Sequence, residues 1–161
     1  MRCILVTGAS GFVGGHLRGV LRAAFPDARL LAATRGEAVS GWDEAVVLDL
    51  LDPASCTTAL QAVKPDAVVH LAALAEVAAS FRDPFVTWRT NLFGTLALAN
   101  ATLAAAPDAL FVFASSAEVY GLSFQDGCPL AEDAPLRPAN PYAASKAAAD
   151  ILSLIHISEP T

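Results

Sequence analysis

The feature that most constrains this chain is a glycine-rich turn directly after a short apolar run. Residues 3–7 read CILVT, which predicts a buried strand. Gly8, Gly11 and Gly14 follow at the head of a predicted helix. In such a unit Gly8 permits the tight turn, Gly11 lets a pyrophosphate approach the backbone, and Gly14 lets the helix pack closely on the strand. The pattern predicts a dinucleotide-binding turn; the alternative is glycines that merely ease packing.

The helix after this turn is expected to take part in binding as well. A helix N-terminus offers free backbone N–H groups to an anion, which makes Phe12 and Val13 part of the predicted cofactor site. The apolar residues of the helix are expected on one side of it: Phe12, Val13, Leu17, Val20 and Leu21.

The rest of the chain alternates short apolar runs with longer helical stretches. Further strands are predicted at residues 28–34, 45–50, 66–73 and 109–116. Helices are predicted from the Asp52-Pro53 cap to about Val63, from about Pro84 to Ala105, and from near Pro141, with 121–139 as a loop. Repeated β-α-β units predict an α/β fold, a Rossmann-like doubly wound parallel sheet with helices on both faces. Ligands bind such sheets at the carboxyl ends of the strands.

The composition of the chain limits the classes of binding partner that can be expected. The 161 residues are 55% hydrophobic and 16% charged with a net charge of −6, which provides no basic surface for nucleic acid. No run approaches the ~20 apolar residues of a membrane span, so no membrane partner is expected. The three cysteines, Cys3, Cys56 and Cys128, lack CxxC spacing, which predicts reduced thiols in a cytoplasmic protein and no metal site.

The end of the second predicted strand bears on the choice of dinucleotide. A carboxylate there would bind the ribose 2′-hydroxyl of NAD, but the chain has Thr34 and Arg35 and no acid before Glu37. Arg35 is suited to a 2′-phosphate, which favours NADP. An ordinary surface arginine is the alternative, and NAD stays possible.

Tyr142 and Lys146 lie one helical turn apart in the last predicted helix, so their side chains share a face. A free phenol has a pKa of about 10, too high for efficient proton transfer at neutral pH, and a neighbouring ammonium favours the phenolate. Lys146 is also able to hydrogen-bond a nicotinamide ribose. Ser116, at the end of the fifth predicted strand, is placed to hold a substrate oxygen. The combination predicts a hydride-transfer site.

Several motifs occur in an order that resembles a known family. They are TGxxGxxG at 7–14, DL at 49–50, HLAA at 70–73, NLFGT at 91–95, SSAEVYG at 115–121 and PYAASK at 141–146. Together they resemble the extended short-chain dehydrogenases/reductases, the NAD(P)-dependent nucleotide-sugar epimerase/dehydratase family. The resemblance covers residues 1–150.

The resemblance implies a role for each matched residue. Ser116, Tyr142 and Lys146 take the catalytic roles. Asp49, which ends the third predicted strand and is not needed as a helix cap, contacts the adenine amine alongside Leu50. Asn91 braces the strands. The residues that line the cofactor are Leu71, Ala72 and Ala73.

Within the family, the resemblance is nearest to GDP-mannose 4,6-dehydratases and GDP-4-keto-6-deoxymannose reductases. dTDP-glucose dehydratases have Thr-Asp-Glu where this chain has Ser116-Ala117-Glu118, and the missing aspartate counts against that branch. Glu118 is then either a catalytic base or a residue that holds the loop. The implied substrate is a nucleotide sugar, and the full-length protein is expected to be a homodimer. A non-catalytic NAD(P)-binding sensor or scaffold of the same fold is the other hypothesis.

Residues 152–161, LSLIHISEPT, depart from the alanine-rich pattern before them. They resemble a translated sequencing adapter, so residues 1–151 are expected to be an incomplete NAD(P)-binding domain followed by a non-native tail. On that view the last strands and a small substrate domain are missing, and the fragment itself is inactive. A genuine, divergent helix end is the alternative.

Overall fold

The computed structural model describes residues 1–125 and 127–157, with 154–157 described by their backbone only. Five parallel strands form one sheet in the order β3-β2-β1-β4-β5. Their bounds are β1 Cys3–Thr7, β2 Arg29–Thr34, β3 Glu44–Val47, β4 Ala67–His70 and β5 Leu110–Phe113. The chain moves outward from β1 to β3 and then returns to the other side of β1. This order confirms the predicted doubly wound sheet, whose switch point lies between β1 and β4.

Six α-helices connect the strands or follow them in the described residues. They are α1 Phe12–Ala24, α2 Pro53–Val63, α3 Val77–Arg82, α4 Pro84–Trp88, α5 Gly94–Ala105 and α6 Pro141–Ile157. A π-helical turn, Arg89–Phe93, joins α4 to α5, so the predicted helix from about Pro84 to Ala105 is confirmed in extent. The predicted cap of α2 is also confirmed, because the Asp52 carboxylate accepts a hydrogen bond from Ala54 N at 3.0 Å.

The sheet is covered on both faces because successive strand residues point to opposite sides. Leu5 and Leu31 belong to a cluster with α2 and α5, to which Leu60 and Leu98 contribute. Ile4, Val6, Leu30 and Ala32 belong to a second cluster, against which Leu17 and Leu21 of α1 pack. Strands buried on both faces explain the continuous apolar runs of the sequence.

The predicted buried side of α1 is partly wrong. Leu17 and Leu21 face the core, but Phe12, Val13 and Val20 are 83%, 58% and 64% exposed. Gly14 decides the orientation, because an added Cβ there would lie 2.7 Å from Ala9 Cα. The helix is therefore pressed against the first turn on its Gly14 side. At 100° per residue, Val13 lies about 100° and Val20 about 120° around the helix from that side.

Three strands end earlier than predicted, and the residues beyond them leave the sheet. The predicted strands at 45–50, 66–73 and 109–116 are Glu44–Val47, Ala67–His70 and Leu110–Phe113. Residues 121–124 of the predicted loop form a short 3-10 turn. The first residues of the predicted tail continue α6 as far as Ile157, and 158–161 lie outside the described residues. The non-native origin of that tail stays a prediction.

Candidate functional site

A cleft of about 550 Å³ opens at the carboxyl edge of the sheet, at the switch point between β1 and β4. It is bordered by the first glycine turn, by the ends of β2 and β3, and by the segment after β4. The predicted cofactor residues that line it are Gly8, Gly11, Arg35, Asp49, Leu50, Leu71, Ala72 and Ala73. Residues far apart in the sequence therefore share one site of the size that a small-molecule ligand needs.

The glycine turn has the geometry that its sequence predicts. Gly8 has φ +69°, a backbone conformation that residues with a side chain rarely adopt. A Cβ there would also lie 2.8 Å from Ala72 N, so both the backbone conformation and the close contact exclude a side chain. Gly8 O accepts a hydrogen bond from Gly11 N at 3.0 Å, which closes the turn. Gly11 is the N-cap of α1 and has no side chain to accept from the first-turn N–H groups. The helix start, with Phe12 and Val13, is therefore open to an anion.

The opposite end of the cleft carries charged and polar groups. Arg35 and Glu37 both line it. Asp49 is fixed in place, since its Oδ1 accepts from Leu51 N at 2.9 Å and its backbone N–H donates to Ser55 Oγ at 3.0 Å. One oxygen of the Asp49 carboxylate thus accepts from the backbone, and the remaining lone pairs of the carboxylate are available to a ligand donor.

Tyr142 and Lys146 lie on the first two turns of α6, which the Asn140 side chain caps by accepting from Ala143 N at 2.7 Å. Both are buried, with 9% and 4% of their surface exposed. Lys146 Nζ stacks on Phe113, 4.1 Å from the ring centroid. Burial lowers the pKa of Lys146 to about 8, although the Asp150 carboxylate acts in the opposite direction.

Ser116 and Glu118 follow β5 and form a short turn that contacts the start of α6. Ser116 Oγ accepts from Glu118 N at 3.2 Å. Glu118 Oε2 accepts from Asn140 Nδ2 at 3.1 Å, so the carboxylate is tied to the residue that caps the tyrosine helix. Ser115 Oγ donates to Asp150 Oδ2 at 2.8 Å. The loop after β5 is thus connected at two points to the helix that carries Tyr142 and Lys146.

Asn91 lies inside the π-helical turn and holds the segment after β4. Its Oδ1 accepts from Leu74 N at 2.8 Å, and its Nδ2 donates to Leu74 O and to Ser145 Oγ, both at 3.0 Å. Asn91 therefore braces the cleft-lining segment and α6 rather than two strands. A π-helical turn at such a position is typical of functional sites.

Sequence reasoning assigned no individual role to four residues that the structure connects to the cleft or to the start of α6: Thr7, His70, Thr95 and Asn140. Thr7 and His70 end β1 and β4, and both side chains are buried. The available signal was a polar residue at the end of an otherwise apolar strand, which is where this fold places its ligand-binding groups. Asn140, directly before Pro141, carried a recognisable N-cap signal.

Two further classes of site have no support in the described part of the chain. Among residues 1–125 and 127–157, no group of three or more His, Cys, Asp or Glu side chains is arranged to hold a metal ion. No helix in these ranges is long and apolar enough to cross a bilayer. The thiols of Cys3 and Cys56 are buried, and burial raises the pKa of Cys56 to about 11.

The sequence matches the family described as the NAD dependent epimerase/dehydratase family over residues 4–159. It is 40% identical over 151 residues to GDP-6-deoxy-D-mannose reductase of Pseudomonas aeruginosa, covering 94% of this chain and 46% of that protein. It is 35% identical over 145 residues to UDP-glucose 4-epimerase of Rhizobium meliloti, covering 89% of this chain and 43% of the other. The chain spans about half the length of these curated relatives.

The chain is also similar in structure to solved proteins. RMD from Pseudomonas aeruginosa complexed with NADPH superposes with a TM-score of 0.77 at 37% identity, over 96% of this chain and 48% of that one. UDP-glucose 4-epimerase of Thermus thermophilus in complex with NAD superposes with a TM-score of 0.82 at 32% identity, over 96% and 50% of the two chains.

Proposed function

We infer that this chain, which belongs to the NAD dependent epimerase/dehydratase family, is the cofactor-binding part of an enzyme that transfers hydride at a sugar carbon of a nucleotide sugar. The cofactor class is NAD(P), since structural neighbours of the chain bind NADPH or NAD. The cleft between β1 and β4 fits this group, because Gly8 and Gly11 line it without side chains and the first-turn N–H groups of α1 have no side-chain cap there.

One observation carries the catalytic part of the proposal. Tyr142 and Lys146 are buried on one face of α6, and the loop that carries Ser116 is tied to the same helix through Glu118 and Asn140. In this arrangement Tyr142 transfers the proton to or from the substrate oxygen. Ser116 orients that oxygen, and Lys146 provides a positive charge beside the phenol. Bound NAD(P) supplies or accepts the hydride.

For the substrate we propose a GDP-hexose, converted by a 4,6-dehydratase or a 4-keto reductase. The similarity to GDP-6-deoxy-D-mannose reductase supports a GDP-sugar. The hydrogen bond between Glu118 and Asn140 supports the loop-holding role of Glu118 over that of a catalytic base. This hydrogen bond fixes the carboxylate against the residue that caps α6, while Oε1 keeps the capacity to accept a proton.

NADP is the proposed form of the cofactor. Arg35 lines the cleft directly after β2, where a 2′-phosphate would need a cation. Glu37 lines the same end and gives the site a carboxylate as well. The preference therefore rests on Arg35 reaching the phosphate while Glu37 points away from it.

We also propose that residues 1–151 are the first part of a longer cytoplasmic enzyme and that 152–161 are not native. The C-terminal half would supply the remaining strands and the sugar-binding domain.

The full-length protein is proposed to be a homodimer. In support, Phe85 and Phe93 are 86% and 59% exposed and line one groove with Trp88 and Arg89. Exposed aromatic residues of this size are typical of protein interfaces.

A substrate panel tests the proposed function in the full-length protein. GDP-4-keto-6-deoxymannose, GDP-mannose and UDP-glucose are supplied with NADPH or NADP, and products are identified by NMR. We expect turnover of one of the two GDP-sugars. Turnover of UDP-glucose alone would overturn the GDP-hexose assignment. Tight NADPH binding with no turnover of any sugar would instead identify a dinucleotide-binding sensor.

A further inference from the structure

A buried histidine connects β1, β4 and α5 at the wall of the cofactor cleft. His70 is 1% exposed. Its Nδ1 lies 2.7 Å from Thr7 Oγ1, and its Nε2 lies 2.9 Å from Thr95 Oγ1. Both ring nitrogens are thus engaged by hydroxyl groups, which can donate or accept.

The partners of Thr95 decide which way the protons point. Thr95 Oγ1 lies 2.6 Å from Asn91 O, and a carbonyl oxygen only accepts. The single hydroxyl proton of Thr95 therefore goes to Asn91, and Thr95 Oγ1 must accept from His70. The proton of the neutral imidazole is consequently on Nε2.

The Thr7 side is consistent with the same tautomer. Thr7 Oγ1 accepts from Ala72 N at 3.2 Å, so its own proton is available for His70 Nδ1. The chain of donors then runs from the Ala72 amide through Thr7, His70 and Thr95 to the carbonyl of Asn91. In this arrangement each proton has an acceptor, whereas a second proton on the imidazole would make Thr7 Oγ1 accept twice and leave the Thr7 hydroxyl proton without an acceptor among these groups.

The two ends of this chain of hydrogen bonds lie at the two halves of the proposed site. Ala72 belongs to the segment that lines the cofactor cleft. At the other end, Asn91 binds both the amide and the carbonyl of Leu74, and it donates to Ser145 Oγ. Ser145 Oγ in turn donates to Tyr142 O at 2.7 Å. The network therefore joins the segment from Ala72 to Leu74 to the helical turn of Tyr142.

The surroundings of His70 favour the neutral ring. Burial lowers the pKa of His70 to about 3, and the charge of Lys146 acts in the same direction. The Phe113 ring, whose centroid is 5.9 Å from that of His70, also carries the Lys146 ammonium on its face. Within the described residues, Lys146 of α6 is the charged group that acts on His70, and β1 and α5 present the hydroxyls of Thr7 and Thr95.

We propose that His70 is a positioning residue: held neutral with its proton on Nε2, it fixes the segment Ala72–Leu74, which faces the cofactor, relative to the turn of α6 that carries Tyr142. This inference deepens the proposed function and rests on it for the meaning of Tyr142. It concerns cofactor binding and geometry, however, and needs no knowledge of the sugar. Loss of the Nε2 contact is therefore expected to loosen the wall of the cofactor cleft.

The tautomer is tested directly by NMR of the full-length protein with ¹⁵N-labelled histidine. Long-range ¹H–¹⁵N correlations separate Nε2–H, Nδ1–H and doubly protonated rings. We expect the His70 ring to show Nε2–H and to keep it from neutral pH down to the onset of acid unfolding. An Nδ1–H ring, or one that gains a proton near the ordinary histidine pKa of about 6.5, would overturn the proposal.

A variant pair tests the positioning role. Thr95→Val removes the acceptor for Nε2–H, and Thr102→Val is its matched control. Both threonines are 3% exposed on α5 and donate to the carbonyl four residues earlier, but among the described side chains Thr102 has no histidine partner. We expect Thr95→Val to weaken NADPH binding about tenfold and to change the His70 ring signals. Thr102→Val should do neither, and Thr95→Ser should restore both.

Equal effects of the two valine variants on NADPH binding would reduce Thr95 to a packing residue and overturn the proposal. The readouts are NADPH fluorescence titration and the His70 spectrum, neither of which depends on sugar turnover. Failure of the Tyr142 chemistry would leave these results unchanged, so the two hypotheses are separable.

Discussion

Lys146 Nζ lies 4.1 Å from the centroid of the Phe113 ring, which places the buried ammonium of α6 on the last residue of β5. Because the face of an aromatic ring attracts a cation, this contact helps to hold the helix of Tyr142 against the sheet.

Replacement of that ring should cost more than the lost apolar contact. We expect Phe113→Leu to lower the free energy of unfolding by about 1 kcal/mol more than Phe111→Leu, a matched change two residues earlier in β5. The excess should vanish when both leucine variants are made in a Lys146→Met background. Denaturant unfolding measures all six proteins, and an excess that survives without Lys146 would show that the ring acts through packing alone.

The buried Lys146 also predicts a pH dependence of stability. Its pKa is lowered from 10.5 to about 8, chiefly by burial, so the folded chain binds fewer protons than the unfolded chain between those values. Stability therefore rises with pH across this window as the cost of the buried charge is removed. Below pH 8 both states are protonated, and the full cost is present.

We expect Lys146→Met to be more stable than the parent at pH 7, with a difference that shrinks as the pH rises toward 10. Thermal unfolding at several pH values measures the difference. Lys64→Met, at the exposed C-cap of α2, changes the other lysine of the chain and should show no such trend. If the stability difference between Lys146→Met and the parent grew with pH, burial would not be what disfavours the charged form of Lys146.

The glycine turn gives a third stability prediction. Gly8→Ala must place a side chain at φ +69° and against Ala72 N, so we expect a loss of at least about 1–2 kcal/mol from the backbone alone. NADPH binding should weaken as well, because Ala72 lines the cleft. Gly15→Ala is the control, since a Cβ there meets nothing within 4 Å in α1. Calorimetry and NADPH titration should find that the control is neutral or slightly stabilised.

Arg35 should set the preference for the phosphorylated cofactor. We expect Arg35→Ala to weaken NADPH binding about tenfold and to leave NADH binding nearly unchanged, because only NADPH presents a 2′-phosphate to the guanidinium. Arg82→Ala removes an exposed arginine paired with Glu76 on α3 and should alter neither affinity. If Arg35→Ala lost equal affinity for NADPH and NADH, Arg35 would be an ordinary surface residue that does not select the phosphorylated cofactor.

The sheet and the glycine turn were predictable because their signals are local. Residues 3–7 form a continuous apolar run, and Gly8 and Gly14 occupy positions at which any side chain would collide with the backbone. The Asp52 cap and its proline are likewise adjacent in sequence. Each of these features needs only the neighbours of the residue concerned, which the sequence shows directly.

The remaining features depend on contacts between distant segments. α3 has six residues, too few for a helical period to be recognised. The exposed Phe12 and Val20 of α1 follow from the close approach at Gly14, which periodicity alone does not reveal. The partners of His70 are 63 and 25 residues away, so only the topology of the sheet brings them together. Buried networks of this kind are specified by the whole fold.

The central claim, that Tyr142 is the proton-transfer group, is tested most directly by hydride transfer in the full-length enzyme. Nicotinamide absorbance is followed in single turnovers with the GDP-sugar that the parent accepts. Tyr142→Phe keeps the ring and removes the hydroxyl, and Tyr120→Phe is the matched control, because Tyr120 is the other tyrosine and its hydroxyl donates to Glu132 O. We predict that Tyr142→Phe lowers the rate constant by about 10²–10⁴-fold while Tyr120→Phe stays near the parent. A Tyr142→Phe enzyme that transfers hydride as fast as Tyr120→Phe would contradict the account.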